Sequence, residues 1–166
     1  MTQTNRASSA AAINESDFTL TFFEKWDWLR SWAAKIHQLQ GKSSDDDCAM
    51  KRRMRKLFGR RTRYVAVTNR TQLVAVATVI PVETTHASFL LIEEVAICKR
   101  YRHLPVVRKL LIGAVVRFAK TYGRSASSIR IIHAAPLEEA DREIYSGFGF
   151  QLLATGDTNL YQLDLK

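Results

Sequence analysis

The middle of the chain carries the pattern that most limits how the protein can fold. An apolar run over residues 89–97 is interrupted only by the carboxylates Glu93 and Glu94, and a basic turn follows at residues 99–103. Apolar residues then recur at helical spacing from Pro105 to Gly123. Proline suits a first helical turn because its missing N–H would have no partner there, and glycine is a natural helix end. The pattern predicts a buried strand, a cationic turn and a long amphipathic helix.

This arrangement is favourable for binding an anion. The first turn of a helix has free N–H groups and the positive end of the helix dipole, so phosphates bind there readily. Basic side chains in the preceding turn add to the attraction. The alternative interpretation is an ordinary strand–helix unit whose basic turn is solvated, and the segment alone does not decide between the two.

The rest of the chain alternates strands with helices and contains no internal repeat. Apolar and β-branched runs predict strands, and apolar stripes at helical spacing predict helices. In chain order we expect a strand at 18–22, helices at about 25–40 and 47–58, a hairpin of strands at 64–68 and 73–80 that Pro81 ends, the strand and helix described above, a strand at 129–134, a helix opening at 136–139, and an antiparallel pair at 150–153 and 160–165.

These elements predict a single mixed α/β domain. A crossover through the long helix makes the strands on either side of it parallel, while the hairpins are antiparallel. Residues 17–166 are therefore expected to form one central, mixed but mostly antiparallel sheet with helices on both faces. Residues 1–16 are expected to be a flexible tail.

The first predicted helix is rich in tryptophan. Its apolar stripe contains Trp28, Leu29, Trp32, Ala33, Ile36 and Leu39, and Gly41 follows it. We expect the two indoles of the stripe to pack in the core. Trp26 lies outside the stripe and is expected to face solvent or a substrate cleft.

The charge of the chain narrows the choice of partner. It has 25 basic and 16 acidic residues, a formal net charge of +9, which favours a phosphorylated cofactor, a nucleic acid or an acidic protein surface. Basic residues cluster between Lys51 and Arg63, which is either a solvated face or a docking surface. The cluster lacks the interleaved aromatic residues of a base-stacking platform, so nucleic acid is the least favoured partner.

Composition argues against several other classes of protein. There is no apolar run of about 18 residues, so no membrane span is expected. The first residues lack the apolar core of a signal peptide. Cys48 and Cys98 are too few for a disulfide framework, and neither they nor the four scattered histidines form a metal-ligand motif. We therefore expect a cytoplasmic protein without a metal.

Two motifs resemble those of the GNAT family of N-acetyltransferases. The segment from Ile97 to Arg102, ICKRYR, is similar to the family's strand ending in V-x-P-x-Y-R. The segment from Tyr145 to Phe150, YSGFGF, is similar to the family's later Y-x-x-x-G-F. The motifs have the family's order and separation, and the predicted elements fit the family over about residues 18–166.

The resemblance implies that the protein binds acetyl-CoA. In the family the fourth strand pairs with the pantetheine arm, and the turn and helix after it hold the pyrophosphate. On this chain the strand positions match Val95, Ala96 and Ile97, and the turn and helix positions match Arg100, Arg102, His103, Leu104, Val106, Val107 and Arg108.

The resemblance also implies acetyl transfer to an amine. This reaction needs a base for the ammonium proton and an acid for the departing thiolate. In some branches of the family a carboxylate lies four residues before the motif's V, which matches Glu93, and the acid is often the motif tyrosine, which matches Tyr145. Glu94 is expected to face the opposite side of the strand, since successive side chains alternate. The alternative roles are structural: a hydrogen-bonded strand carboxylate and a packed aromatic ring.

One segment departs from the family pattern. The pyrophosphate loop usually reads R/Q-x-x-G-x-G/A, and the residues from Arg102 to Val107, RHLPVV, lack both small positions. Glycine lets phosphates approach the backbone, whereas Pro105 has no N–H and Val107 adds a branched side chain. Weaker or altered CoA binding is therefore expected. His133, at the end of its predicted strand, is a further candidate for proton transfer.

Three functions follow from these patterns. The first is an acetyl-CoA-dependent N-acetyltransferase acting on an unidentified amine, for which the net charge favours an anionic or protein-borne acceptor. The second is a GNAT-fold protein with weak or no catalysis that acts as a protein-binding module. The third and least favoured is nucleic-acid binding through the basic cluster. A homodimer is compatible with each.

Overall fold

The computed structural model describes residues 15–42, 46–83, 85, 88–122, 129–136, 139–155 and 158–165. Within them, strands and α-helices follow the predicted order: β1 (Thr19–Phe22), α1 (Trp26–Leu39), α2 (Asp47–Gly59), β2 (Arg63–Asn69), β3 (Gln72–Glu83), β4 (Ser88–Ile97), α3 (Pro105–Tyr122), β5 (Ile129–Pro136), α4 (Glu139–Gly147), β6 (Gln151–Ala154) and β7 (Thr158–Leu165). Short 3-10 helices precede β1 (Glu15–Asp17) and follow β4 (Lys99–Tyr101).

All of these strands belong to one sheet in the order β1-β2-β3-β4-β5-β7-β6. β4 and β5 are parallel, as the crossover through α3 requires, and the other neighbours are antiparallel. The predicted sheet is confirmed. β4 and β5 pair only as far as Ile92 and His133, although β4 continues to Ile97 and β5 to Pro136. We call the gap between their unpaired ends the fork.

Helices cover both faces of the sheet, as predicted, so the protein has two cores. On one face α3 and α4 pack on the strands through Val65, Leu90, Ile92, Leu111, Val115 and Tyr145. On the other face α1 and α2 pack through Leu29, Ile36, Met54, Tyr64 and Val76. The fork lies between these two layers.

Local chemistry fixes where α1 and α2 end and begin. Gly41 has a φ of +70°, and the N–H groups of Gly41 and Lys42 donate to the carbonyls of Gln38 and His37 at 3.0 Å. This is the hydrogen-bond pattern of a glycine-terminated helix. The Asp46 carboxylate then accepts from the first N–H groups of α2 at 2.8 and 3.1 Å. An acidic N-cap residue therefore begins α2.

α3 and α4 approach each other closely at Gly113. A Cβ atom at this position would lie 3.1 Å from Cζ of Phe148, just beyond the end of α4. Any larger residue would have to displace that ring. Gly113 therefore sets the spacing between α3 and the end of α4.

Two prolines lie inside strands that were predicted to end earlier. β3 continues through Pro81 to Glu83, which is tolerated because β2 pairs with β3 only as far as Val79, so the proline lies where that edge is free. β5 continues to Pro136, which still pairs with Thr158 on β7, and α4 begins only at Glu139. Residues 137 and 138, in the predicted helix opening, lie outside the described residues, as does Gly123.

The predicted roles of two tryptophans are reversed. Trp28 is 54% exposed, whereas Trp26 is half-buried and packs against Phe58 of α2 with the ring centroids 6.2 Å apart. The stripe predicted for α1 took no account of α2, which covers the side carrying Trp26. Residues 15–17, at the end of the predicted tail, form a 3-10 helix. Residues 1–14 lie outside the described residues, so the flexible tail stays a prediction.

Candidate active site

β4 contains a β-bulge at Glu93, beside the fork. On β3, Thr78 pairs with Glu94 and the next residue, Val79, pairs with Ile92, so Glu93 has no partner opposite it. One extra residue shifts the alternation of side chains by one position. Ile92 is also the last residue of β4 that pairs with β5. The strand therefore changes register where the two strands part.

The bulge makes one prediction wrong, because Glu94 does not face away from Glu93. Glu94 forms an ion pair at 2.7 Å with Lys42, which follows α1. Glu93 lines a cavity of about 50 Å³ together with Tyr64 and Thr78. Both carboxylates thus lie on the face that α1 and α2 cover. The pKa of Tyr64 rises to about 12, first because of burial and then because of the charges of Glu93 and Glu94.

A histidine lies at the apex of the fork, where β4 and β5 part. His133 is 3% exposed, and its Nδ1 lies 3.0 Å from the carbonyl oxygen of Ile92. A carbonyl only accepts, so Nδ1 carries the proton of the neutral ring and Nε2 keeps its lone pair. The pKa of His133 lies below its usual 6.5 because burial disfavours the charged ring; the bond to Ile92 opposes this shift and the charge of Arg108 adds to it. The ring is therefore neutral near pH 7.

The turn that ends α4 fixes the position of Tyr145. The Phe150 N–H donates to the Tyr145 carbonyl at 3.0 Å, and the Gly149 N–H donates to the Ser146 carbonyl at 2.9 Å. This is a Schellman helix end, and Gly149 supplies its left-handed residue with a φ of +85°. The turn brings the Phe150 ring edge-on to Tyr145 at 5.3 Å. The YSGFGF motif is therefore a helix end that positions a tyrosine.

Tyr145 lies in a cluster of aromatic rings on the α3/α4 face. Its side chain is 2% exposed, stacks on Tyr161 at 4.4 Å and lies 5.5 Å from the His133 ring. Burial raises the pKa of its phenol well above the usual 10, although the charge of Arg108 opposes this. Such a phenol stays protonated and can donate its proton.

Asn159 adds a polar group to this cluster that no sequence pattern singled out. The residue is fully buried, and its Nδ2 donates to the Tyr161 hydroxyl at 3.4 Å. Its Oδ1 is the one fully buried side-chain polar atom without a partner in the described parts of the chain. Leaving a buried acceptor unpaired costs about 1–3 kcal/mol. Asn159 pairs with Ala135, in the part of β5 that lies beyond the fork.

The strand residues predicted for the pantetheine arm line the fork. Val95, Ala96 and Ile97 pair along one edge with residues 75–77 of β3. The other edge, facing the fork, has no strand partner within the described residues. An open strand edge presents N–H and C=O groups that an extended ligand can pair with. These three residues therefore lie where a ligand arm can extend the sheet.

The turn after β4 is held by Tyr101. Its ring is buried edge-on to Phe18 at 6.1 Å, and its hydroxyl donates to Oε1 of Gln72 at 3.3 Å. The Arg100 guanidinium lies over the same ring at 5.8 Å. Arg102 and His103 are exposed. The turn is therefore rigid on one side and presents cations on the other.

The first turn of α3 offers few donors to a phosphate. Pro105 has no N–H, and the N–H of Val107 already donates to the Leu104 carbonyl at 3.1 Å. The Val107 side chain is fully buried, and those of Val106 and Arg108 are half-buried. The predicted pyrophosphate residues are thus adjacent in space, but the backbone cradle is reduced.

A pocket of about 800 Å³ lies beside the turn, on the other side of β4 from the fork. It is bounded by the end of α1, the β2–β3 turn and the end of β4, and we call it the elbow pocket. Its volume is that of a typical small-molecule site. Lys35, Lys99 and Arg102 line it, and among the described residues no carboxylate does.

The two predicted catalytic residues lie on opposite faces of the sheet. Glu93 lies on the α1/α2 face, and Tyr145 packs with the α3/α4 core. His133 lies at the apex of the fork between them. Within the described residues no group of His, Cys, Asp and Glu side chains could hold a metal ion, and no described helix is long and apolar enough to span a membrane.

Comparison with known proteins finds relatives of structure but not of sequence. No family model matches the chain, and no curated protein matches it. An acetyltransferase from Trypanosoma brucei aligns with a TM-score of 0.63 at 14% identity, covering 84% of this chain and 96% of that one. YncA from Salmonella typhimurium, solved with its cofactor acetyl-CoA, aligns with a TM-score of 0.62 at 11% identity, covering 90% and 94%.

A third similar structure is a mutant AtaT toxin bound to acetyl-CoA and to the C-terminus of the antitoxin AtaR. It aligns with a TM-score of 0.55 at 14% identity, covering 89% of this chain and 93% of that one. Identities this low show the fold alone. The fold that the two motifs implied is confirmed: the chain has the fold of the GNAT acetyltransferases.

Proposed function

We propose that the protein is an N-acetyltransferase that moves the acetyl group of acetyl-CoA to an amine. The observation that carries this proposal is the fork itself. An open β4 edge leads to an apex with a neutral histidine, and a protonated, buried tyrosine lies beside it. Acetyl-CoA is bound in structures of two similar proteins of this fold, AtaT and YncA.

Glu93 and Tyr145 divide the proton transfers between them. Glu93 takes one proton from the incoming ammonium through a water molecule, and the free amine attacks the thioester carbonyl. The N–C bond forms, the C–S bond breaks, and the attacking nitrogen releases its second proton to water, which leaves a neutral amide. Tyr145 donates its proton to the departing thiolate, since its raised pKa keeps the phenol protonated until then. Proton exchange with solvent restores both groups.

The α1/α2 face favours an acceptor with negative charge near its amine. The cavity beside Glu93 is also lined by His37, Lys42 and Arg53. A polycation would meet these residues and the basic surface of α2 with like charge. An amine carried on an anionic molecule or on an acidic protein segment is the more favourable acceptor.

A melting experiment tests the proposal at the level of the cosubstrate. A ligand present at 100 times its dissociation constant adds about 2.7 kcal/mol of stability, which is several degrees for a domain of this size. We expect millimolar acetyl-CoA to raise the melting temperature and a panel of primary amines to include one that releases CoA. A melting temperature unchanged at millimolar acetyl-CoA would contradict the proposal.

The reduced cradle at α3 supports a second candidate, a protein-binding module with weak or no catalysis. The basic, exposed surface of α2 is the binding face in this case. AtaT shows that a protein of this fold can bind both acetyl-CoA and a protein segment. Binding of an acidic peptide without any acetyl-CoA shift would favour the module over the enzyme.

A further inference from the structure

We propose that the elbow pocket, rather than the start of α3, holds the phosphate groups of the cosubstrate. This inference rests on the proposed function and specifies where the charged end of acetyl-CoA binds. It follows from the contrast between two neighbouring surfaces. The α3 start offers few donors, because Pro105 has no N–H and the N–H of Val107 donates to the Leu104 carbonyl. The pocket beside it gathers cations instead.

Two cations of the elbow pocket, Lys99 and Arg102, are not neutralised within the described part of the chain. Lys99 and Arg102 are exposed and make no ion pair within the described residues. No carboxylate among those residues lines the pocket. Phosphate oxygens bind Arg in a forked geometry and Lys as a point charge. The pocket is therefore complementary to a group that carries several phosphates.

Lys35 is held in place for such a ligand. Its Nζ donates to the Thr71 carbonyl at 3.0 Å and lies 4.6 Å from the centre of the Trp32 ring. One ammonium N–H is used in that bond, so two remain for a ligand. The side chain loses little further freedom on binding, since both contacts already fix it.

The pocket also begins where the open edge of β4 ends. Ile97, the last residue of β4, and Cys98 after it line the pocket. An arm that lies along the open edge from Val95 to Ile97 reaches the pocket by passing over the end of β4, because the pocket lies on the other side of that strand from the fork. Gln38 and Gln72 add amide groups to the lining. A pocket of about 800 Å³ has room for a nucleotide.

Calorimetric titration with CoA tests this placement. The double variant Lys35→Gln with Lys99→Gln, which leaves the turn residue Arg102 in place, is expected to weaken CoA binding by about tenfold or more, because two charge-assisted contacts are lost. Lys109→Gln tests the α3 start, and Lys120→Gln, at the exposed far end of α3, controls for net charge. Each of these single variants is expected to stay within about twofold of the unmodified protein.

A thiol footprint gives an independent measure of where the ligand lies. Cys48 is exposed, and Cys98 is half-buried in the pocket wall. In a Cys48→Ser protein, acetyl-CoA is expected to slow alkylation of Cys98 by iodoacetamide. Protection of Cys98, together with weaker binding in the double variant, supports the placement.

Two outcomes separate this inference from the proposed function. If CoA binds the unmodified protein but the double variant binds equally well, or Lys109→Gln weakens binding more, the placement is wrong and the proposed function stands. Binding that leaves the alkylation rate of Cys98 unchanged also overturns the placement. If the unmodified protein does not bind CoA at all, the proposed function and the placement both fall.

Discussion

The two faces of the sheet meet at the fork but differ in character. On the α3/α4 face, Tyr145, Tyr161 and Asn159 form a buried cluster, in which Oδ1 of Asn159 has no partner among the described residues. On the α1/α2 face, Glu93 is exposed and lines a small cavity with Lys42 and Arg53, and Glu94 forms an ion pair with Lys42. The first face suits a group that must keep its proton, and the second suits a group that must exchange one.

In the proposed mechanism, this difference keeps the acid and the base apart. Burial, with a smaller contribution from Tyr161, raises the pKa of Tyr145, and burial with two carboxylates raises that of Tyr64 on the other face. Because the bulge keeps both carboxylates on the α1/α2 face, neither one faces Tyr145. The predictions below test each side of this division in turn.

The largest effect is expected from Tyr145→Phe. Removing a general acid lowers the turnover rate by about 10²–10⁴-fold, while binding of acetyl-CoA should persist because the ring remains. The readout is CoA release with the amine found in the screen, together with the melting shift. Tyr122→Phe, which removes an exposed phenol at the end of α3, is the control and should leave turnover intact. Full activity in Tyr145→Phe would show that the general acid is not a group on the buried face.

Glu93→Gln tests the charged face. We expect a loss of about 10- to 10²-fold in turnover, smaller than for the acid because water can replace an exposed base. The loss should shrink as the pH rises, since the amine then loses its proton without help. Glu94→Gln breaks the pair with Lys42 but should change turnover only slightly. If Glu94→Gln has the larger effect, the base has been assigned to the wrong carboxylate.

Gly149→Ala tests the turn that supports the buried face. A side chain in this left-handed conformation costs about 1–2 kcal/mol, so the free energy of unfolding in urea should fall by that amount. Gly147→Ala is the matched control, since a Cβ there meets nothing within 4 Å. Its effect should be neutral or stabilising, by up to about 1 kcal/mol. Equal effects of the two variants would contradict the role of Gly149.

The smallest effect is expected at His133, at the apex of the fork, as a change in how the stability of the fold depends on pH. The folded-state pKa of His133 lies below its unfolded value, so its contribution to stability is complete above about pH 6.5 and is lost as the pH falls through the folded pKa. His133→Asn keeps an N–H for the Ile92 carbonyl but does not titrate. Urea midpoints between pH 7 and 5 should fall less steeply in the variant. Parallel curves would mean that His133 does not contribute.

The spacing of apolar residues predicted the helices and strands well, because packing helices on both faces of the sheet requires that spacing. The order of strands and helices, the parallel pair and the end of α1 at Gly41 all agree with the structure. The position of Trp28 did not, since a stripe on one helix cannot show which side a second helix will cover.

The site was less predictable than the fold. Motifs identified Tyr145 and the β4 edge, and the Schellman turn explains why the glycine of YSGFGF is needed. The bulge at Glu93 was missed because register depends on the partner strand, not on the strand's own residues. The elbow pocket was missed because its walls come from three segments far apart in the chain.

The bulge also limits how residues in this strand can be counted. Positions before Glu93 and after it follow different odd–even rules, so a fixed offset from Ile97 does not identify a fixed direction. Two chains of this fold can therefore match in spacing and still place their carboxylates on opposite sides. For this strand, functional equivalence must be assigned by face, with the bulged residue treated as an insertion.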